Sequence, residues 1–166
     1  MAEEKKESDA AGGAKPEPVR GTEPQLQLVG QYVKDLSFEN PGIGMAVQRP
    51  QIEFNVDLQA RRIGEQPQPP QYEVEMKLRV TATDSGKPMF LLELAYAGIF
   101  LLNNVPEDSV QPIVMIECPR LLFPFARRII ADVVRDGGLP PLMIDPIDFV
   151  ALYRRKLAET STQRVT

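Results

Sequence analysis

Asp35 and Glu39 stand four residues apart, and Glu93 is the single charge in the apolar run from Met89 to Leu102 (MFLLELAYAGIFLL). These are the residues whose type and spacing first point to chemistry. In an extended strand, positions four apart share a face, about 13 Å from one another at roughly 3.3 Å per residue. By the same rule Leu91 and Glu93 share one face of their strand. Carboxylates so placed serve either a small enzyme or ligand site that uses paired acids, or a charged docking surface; they also read as ordinary solubilising charges. Glu93 fits the last reading least, because a lone charge in an apolar strand is costly unless exposed or paired.

Other catalytic designs lack their parts. The chain has 166 residues, one Cys, and neither His nor Trp. Without His, Ser-His-Asp and Cys-His nucleophiles lose their usual base, and the His-containing zinc sites are excluded. Cys118 has only Arg120 near it in sequence and reads as a buried, inert thiol. No phosphate-binding G-x-x-x-x-G-K-[ST] occurs, and no metal spacing is present. The net charge of −4 argues against a nucleic-acid binder. The expected protein is therefore not an enzyme, takes no metal or cofactor, and works by its surface.

The elements that must position these residues begin after a tail. Residues 1–24 combine a charged start, a small-residue stretch (AAGGA) and three prolines, with nothing to offset the entropy of ordering. This predicts a disordered N-terminal tail over 1–24, a domain over 25–157 and a flexible C-terminal tail over 158–166. No secretory h-region and no run of 18 apolar residues occurs, so the expected address is the cytoplasm, without membrane insertion. Leu26, Leu28, Tyr32, Leu36 and Phe38 share one parity and predict a half-buried strand ended by Asn40-Pro41-Gly42. Ile52, Phe54, Val56 and Leu58 alternate with polar residues, as do Tyr72, Val74, Met76, Leu78 and Val80. Asp84-Ser85-Gly86-Lys87 predicts a hairpin turn into the fourth strand. That strand is apolar on both parities. It is either the central strand of a covered sheet or one that meets a partner, with Leu92, Leu94 and Tyr96 as candidate oligomer-interface residues.

Helices follow. Ser109 to Cys118 predicts one, interrupted by Pro119. A second is expected from near Leu121, with Phe125, Ile129, Ile130, Val133 and Val134 as its apolar stripe and Gly137-Gly138 as its C-cap. A last one starts near Asp145 or Pro146, with Phe149, Leu152, Tyr153 and Leu157 on its apolar face. Strands first and helices after is an α+β layout: a four-stranded antiparallel sheet with helices packed on one side.

Four blocks carry a likeness: YVKDLSFENP (Tyr32 to Pro41), FLLELAYAGIF (Phe90 to Phe100), CPRLLFPFAR (Cys118 to Arg127) and PPLMIDPIDFVALY (Pro140 to Tyr153). In this order and spacing the chain resembles SecB, the bacterial protein-export chaperone family, over roughly residues 25–157. The resemblance implies a homotetramer built as a dimer of dimers. It implies ATP-independent binding of unfolded preproteins with signal sequences, which are kept translocation-competent and handed to SecA, the motor of the Sec translocase. It implies that Asp35, Glu39, Leu91 and Glu93 match the acidic, flat surface that docks the zinc-containing C-terminal segment of SecA. For clients, whose shared chemistry is exposed apolar side chains, the candidate groove comprises Ile43, Met45 and Val47 of the loop after the first strand. Phe149 and Tyr153 are its expected opposite wall. The alternatives are a SecB-like chaperone of the toxin–antitoxin type and a non-chaperone α+β ligand-binding domain. Three features depart from the family: the longer N-terminal tail, a loop without aromatics between Gly42 and Gln48, and a basic end from Arg154 onward.

Overall fold

The computed structural model describes residues 23–65 and 69–163. The predicted N-terminal tail, apart from its last two residues, lies outside them. Four antiparallel strands, β1 (Gln25–Glu39), β2 (Pro50–Ile63), β3 (Gln71–Asp84) and β4 (Lys87–Asn103), form one sheet in the order β1-β4-β3-β2. Ser85 and Gly86 both take positive φ, 51° and 77°, in the two-residue β3–β4 turn, the geometry that matches strand twist.

This order explains the double apolar character of β4. It is a central strand, between β1 and β3. Leu92, Leu94, Tyr96, Phe100 and Leu102 on one face are buried together with Val74, Met76, Leu78 and Val80 of β3. Leu92, Leu94 and Tyr96 are therefore core of this subunit and not an oligomer interface: with at most 6% of their surface exposed, they have nothing to offer a partner.

β1 departs from simple alternation. Register shifts between Leu28 and Gly30 and between Val33 and Asp35 each insert an extra residue, which flips the side-chain parity. Leu26, Leu28, Leu36 and Phe38 keep the helix-covered side, opposite Leu102, Phe100, Leu94 and Leu92, but Tyr32 turns to the other face, opposite Ala97.

The helical layer starts with α1 (Glu107–Pro112), continues through a π-turn (Ile113–Glu117) and runs directly into α2 (Cys118–Asp136). Pro119 does not end a helix. A proline lacks the N–H of the regular ladder and crowds the carbonyl four residues back, and the wider π-turn just before it absorbs both defects. α2 buries Leu122, Phe123, Ala126, Ile130 and Val134, while Leu121 and Phe125 stay exposed, so Phe125 is off the core stripe predicted for it. Leu122 sits over Gly98 and Leu28, and the C-terminal Gly137 lies against the Phe38 ring. The glycine cap is present: Gly138 has φ +84°, and its N–H donates to the Arg135 carbonyl.

Residues 139–148 run extended back along α2, held where Arg127 donates to the Ile144 carbonyl (3.3 Å) and stacks 5.9 Å above the Phe123 ring. α3 (Phe149–Gln163) begins at the first residue of its apolar face and later than the expected start near Asp145 or Pro146, because the Asp148 carboxylate accepts the Ala151 N–H (3.0 Å) as an N-cap. It stays helical through Gln163, so residues 158–163 of the expected flexible tail continue the last helix.

Candidate functional site

The face of the sheet turned away from the helices is a grid of polar side chains. Its rows follow from the strand register: Glu53–Thr81–Leu91–Glu39, Asn55–Arg79–Glu93–Ser37, Asp57–Lys77–Ala95–Asp35, Gln59–Glu75–Ala97–Tyr32, and Arg61–Glu73–Ile99–Gly30. Asp35, Glu39, Leu91 and Glu93 thus occupy three adjacent rows at the β1–β4 end of this open face. The second bulge of β1 makes this possible, since it brings Asp35, Ser37 and Glu39 into register with Ala95, Glu93 and Leu91. Asp35 and Glu39 are exposed, and neither is ion-paired among the described residues. Glu93 faces Arg79 across the strand pair at 3.4 Å. A shallow depression of about 630 Å³ opens among these residues, with Lys34, Asp35, Lys77, Arg79 and Glu93 in its wall.

The neighbouring rows hold a network invisible in the one-dimensional pattern. Glu73 is buried, and it accepts from the Tyr32 hydroxyl (2.7 Å), the Lys34 ammonium (3.0 Å) and the Arg61 guanidinium (2.5 Å). Tyr32 lies opposite Ala97, so its phenol passes over β4 to reach β3; only a small residue beneath leaves that space. The Tyr32 hydrogen bond, above all, holds the Glu73 carboxyl down at about 2, outweighing the burial that opposes it, with help from Lys34 and Arg61. Burial, and then Glu73, push the Tyr32 phenol up. The Lys34 ammonium is held up first by its bond to Glu75 (2.7 Å). The network ties edge strand β1 to β3 and β2, and so fixes the strand that carries Asp35 and Glu39. Its sequence signal, a Glu-x-Glu in β3 opposite bases on two other strands, is readable only once the strand order is known.

The loop after β1 has its own construction. β1 and β2 lie at opposite edges of the sheet, so residues 40–49 must cross the end of the β3–β4 hairpin. The crossing is pinned at both ends. Gly42 donates its N–H to the Met89 carbonyl (3.0 Å), and a Cβ there would lie 2.7 Å from the Met89 Cα. At the far end the Asp84 carboxylate accepts the N–H groups of Gln48 (2.6 Å) and Arg49 (2.9 Å), bonds that hold its carboxyl below the usual range. Asn40 adds a link to the helical layer by donating to the Gly137 carbonyl (2.8 Å). Ile43, Met45 and Val47, between the pins, are exposed.

Phe149 and Tyr153 do not face them. Phe149 is buried, edge-on to Phe123 (centroids 6.0 Å apart), and Tyr153 packs on the core beside it. Ile43 lies against Gly138, at the other end of α2. Phe123 and the C-cap Gly137 are fourteen positions apart along α2, about 21 Å at 1.5 Å per residue. The predicted opposite wall is therefore corrected: Phe149 is core. Met143, in the extended segment along α2, is 63% exposed, an apolar side chain that no helical or strand period marks.

Cys118 is fully buried, and desolvation pushes its thiol up to about 12. No group of three or more metal-ligating side chains occurs among the described residues, and no described helix is long and apolar enough to cross a membrane.

The family model described as preprotein translocase subunit SecB matches residues 20–160. The protein-export protein SecB of Paramagnetospirillum magneticum is 51% identical over 146 residues, covering 85% of this chain and 91% of that protein. That of Bradyrhizobium diazoefficiens is 52% identical over 138 residues, 81% and 83% of the two chains. Among solved structures, a Mycobacterium tuberculosis SecB-like chaperone in complex with an antitoxin peptide superposes with a TM-score of 0.56 at 11% identity, over 74% of this chain and 91% of that one. At that identity the likeness is one of fold.

Proposed function

The chain belongs to the SecB family, and from that premise we propose that it carries unfolded preproteins to SecA from a cytoplasmic dimer of dimers. It is a protein-export chaperone and not an enzyme. The observation that carries the SecA reading is the uncovered acidic end of the open sheet face, where Glu39 and Glu93 flank Leu91 and Asp35 lies one row beyond Glu93. Complementary charge on a basic partner segment speeds and orients the encounter, while Leu91 supplies apolar contact.

Clients engage the pinned loop through Ile43, Met45 and Val47. Burying each such side chain contributes about 1.5–3 kcal/mol before ordering costs, and repetition over several subunits adds avidity. Self-association uses surface that the helical layer leaves open. Val29, Val33 and Leu36 of edge strand β1 are exposed, as are Leu121 and Phe125, one turn apart on α2. A bare strand edge beside apolar side chains suits a symmetric contact with a second copy.

Titration of Asp35→Ala and Glu93→Ala variants against SecA tests the docking assignment; unchanged affinity in both overturns it. Light scattering, followed by mixing with a slow-folding preprotein in the absence of nucleotide, tests the rest. A tetramer that blocks refolding is the expected result, and a monomer that binds no unfolded chain refutes the assembly and the client reading together.

A further inference from the structure

Glu93 is the one member of the proposed docking set that has an ion-pair partner among the described residues. That partner is Arg79, directly opposite on β3, with Nε 3.4 Å from the carboxylate. Asp35 and Glu39 have no such neighbour. The other bases that line the depression on this face, Lys77 and Lys34, approach Glu75 and, for Lys34, also Glu73, none of them a docking residue. Both members of the Arg79–Glu93 pair remain about half exposed, and neither has another ion-pair partner among the described residues. A guanidinium beside a carboxylate does what a cationic partner would do at the same oxygen.

We propose that Arg79 is a built-in competitor for Glu93, a specificity-determining residue that lowers the affinity of the acidic face for its basic partner. This rests on the docking reading given above. A partner cation reaching Glu93 must displace Arg79. Weakly basic or misaligned chains, which gain too little elsewhere to do so, are turned away. Release of SecA is assisted in the same way, because Arg79 re-forms its pair as the partner leaves. Since exposed pairs of this kind are weak, the effect is modest: removing the competitor tightens binding about two- to fivefold.

The test uses the full chain and full-length SecA, with affinity measured at low salt for the wild type, R79Q, E93Q, R79Q/E93Q and K77Q. Circular dichroism checks that each variant is folded. Competition predicts that R79Q tightens binding, that E93Q weakens it, and that R79Q/E93Q matches E93Q alone. K77Q, which changes the net charge equally without touching a docking residue, then tightens binding less than R79Q. If E93Q weakens binding while R79Q leaves it unchanged or weakens it too, Arg79 is a spectator or holds Glu93 in place, and the competitor role is refuted. Tightening by R79Q that persists in the E93Q background, or that K77Q reproduces, reduces the effect to overall potential and also refutes it. If E93Q has no effect, the docking role of Glu93 has failed and the inference falls with it.

Discussion

Glu73→Gln removes the charge from a buried carboxylate without changing its shape, and the structure sets the size of the loss. The folded chain holds this group at about 2 against an ordinary 4.5. At 1.36 kcal/mol per pH unit the difference stabilises the folded state by about 3 kcal/mol when the group is ionised in both states. Two of its partners, Lys34 and Arg61, are 34% and 69% exposed, so water screens part of their attraction. The expected loss in Glu73→Gln at neutral pH is therefore about 2 kcal/mol. The sign of the pH dependence follows from a depressed carboxyl. Its contribution is whole above 4.5 and drains away as pH falls toward about 2. At pH 3 about two fifths of it remains. Urea unfolding of the wild type and Glu73→Gln, at one fixed protomer concentration, measures this. The midpoints should differ by about 1 M at pH 7, for a slope of roughly 2 kcal/mol per M, and by less than half of that at pH 3. Equal midpoints at pH 7 would refute the network's role in stability. A gap as wide at pH 3 as at pH 7 would show that the amide's packing, and not the lost charge, is responsible.

Asp84→Ala removes the acceptor for the Gln48 and Arg49 N–H groups. Amide exchange at those two residues and proteolysis within 42–49 should accelerate, and unaltered exchange would mean that the loop is held by something else. Gly137→Ala places a Cβ 2.6 Å from the Phe38 ring, which should cost about 1–3 kcal/mol as strand or helix gives way. A thermal midpoint equal to that of the wild type counts against this close approach. The Cys118 thiol, at about 12, should resist a disulfide reagent at pH 8 in the native protein and react fully in denaturant. Rapid labelling of the native protein would place the residue outside the core.

Alternation alone defines β2 and β3, because one face of each packs on the helices and the other meets polar neighbours or solvent. The hairpin turn and the glycine cap are equally local, since each depends on backbone conformations that few residues adopt. The shared face of Leu91 and Glu93 needs only the two-residue period. That of Asp35 and Glu39 survives because both lie beyond the second bulge.

Tertiary structure decided the rest. The bulges of β1 are marked in the sequence only by Gly30 and by the breaks in alternation at Val29 and Val33, yet they send Tyr32 to the open face, where it meets Glu73. Strand order made β4 central and turned Leu92, Leu94 and Tyr96 into core, a choice that apolar composition leaves open, since a covered face and a partner face demand the same residues. Phe149 has the same ambiguity, settled by Phe123 rather than by anything within α3. Periodicity thus determined which residues share a face. Which faces are covered, and which charges meet across strands, depended on packing between segments far apart in the chain.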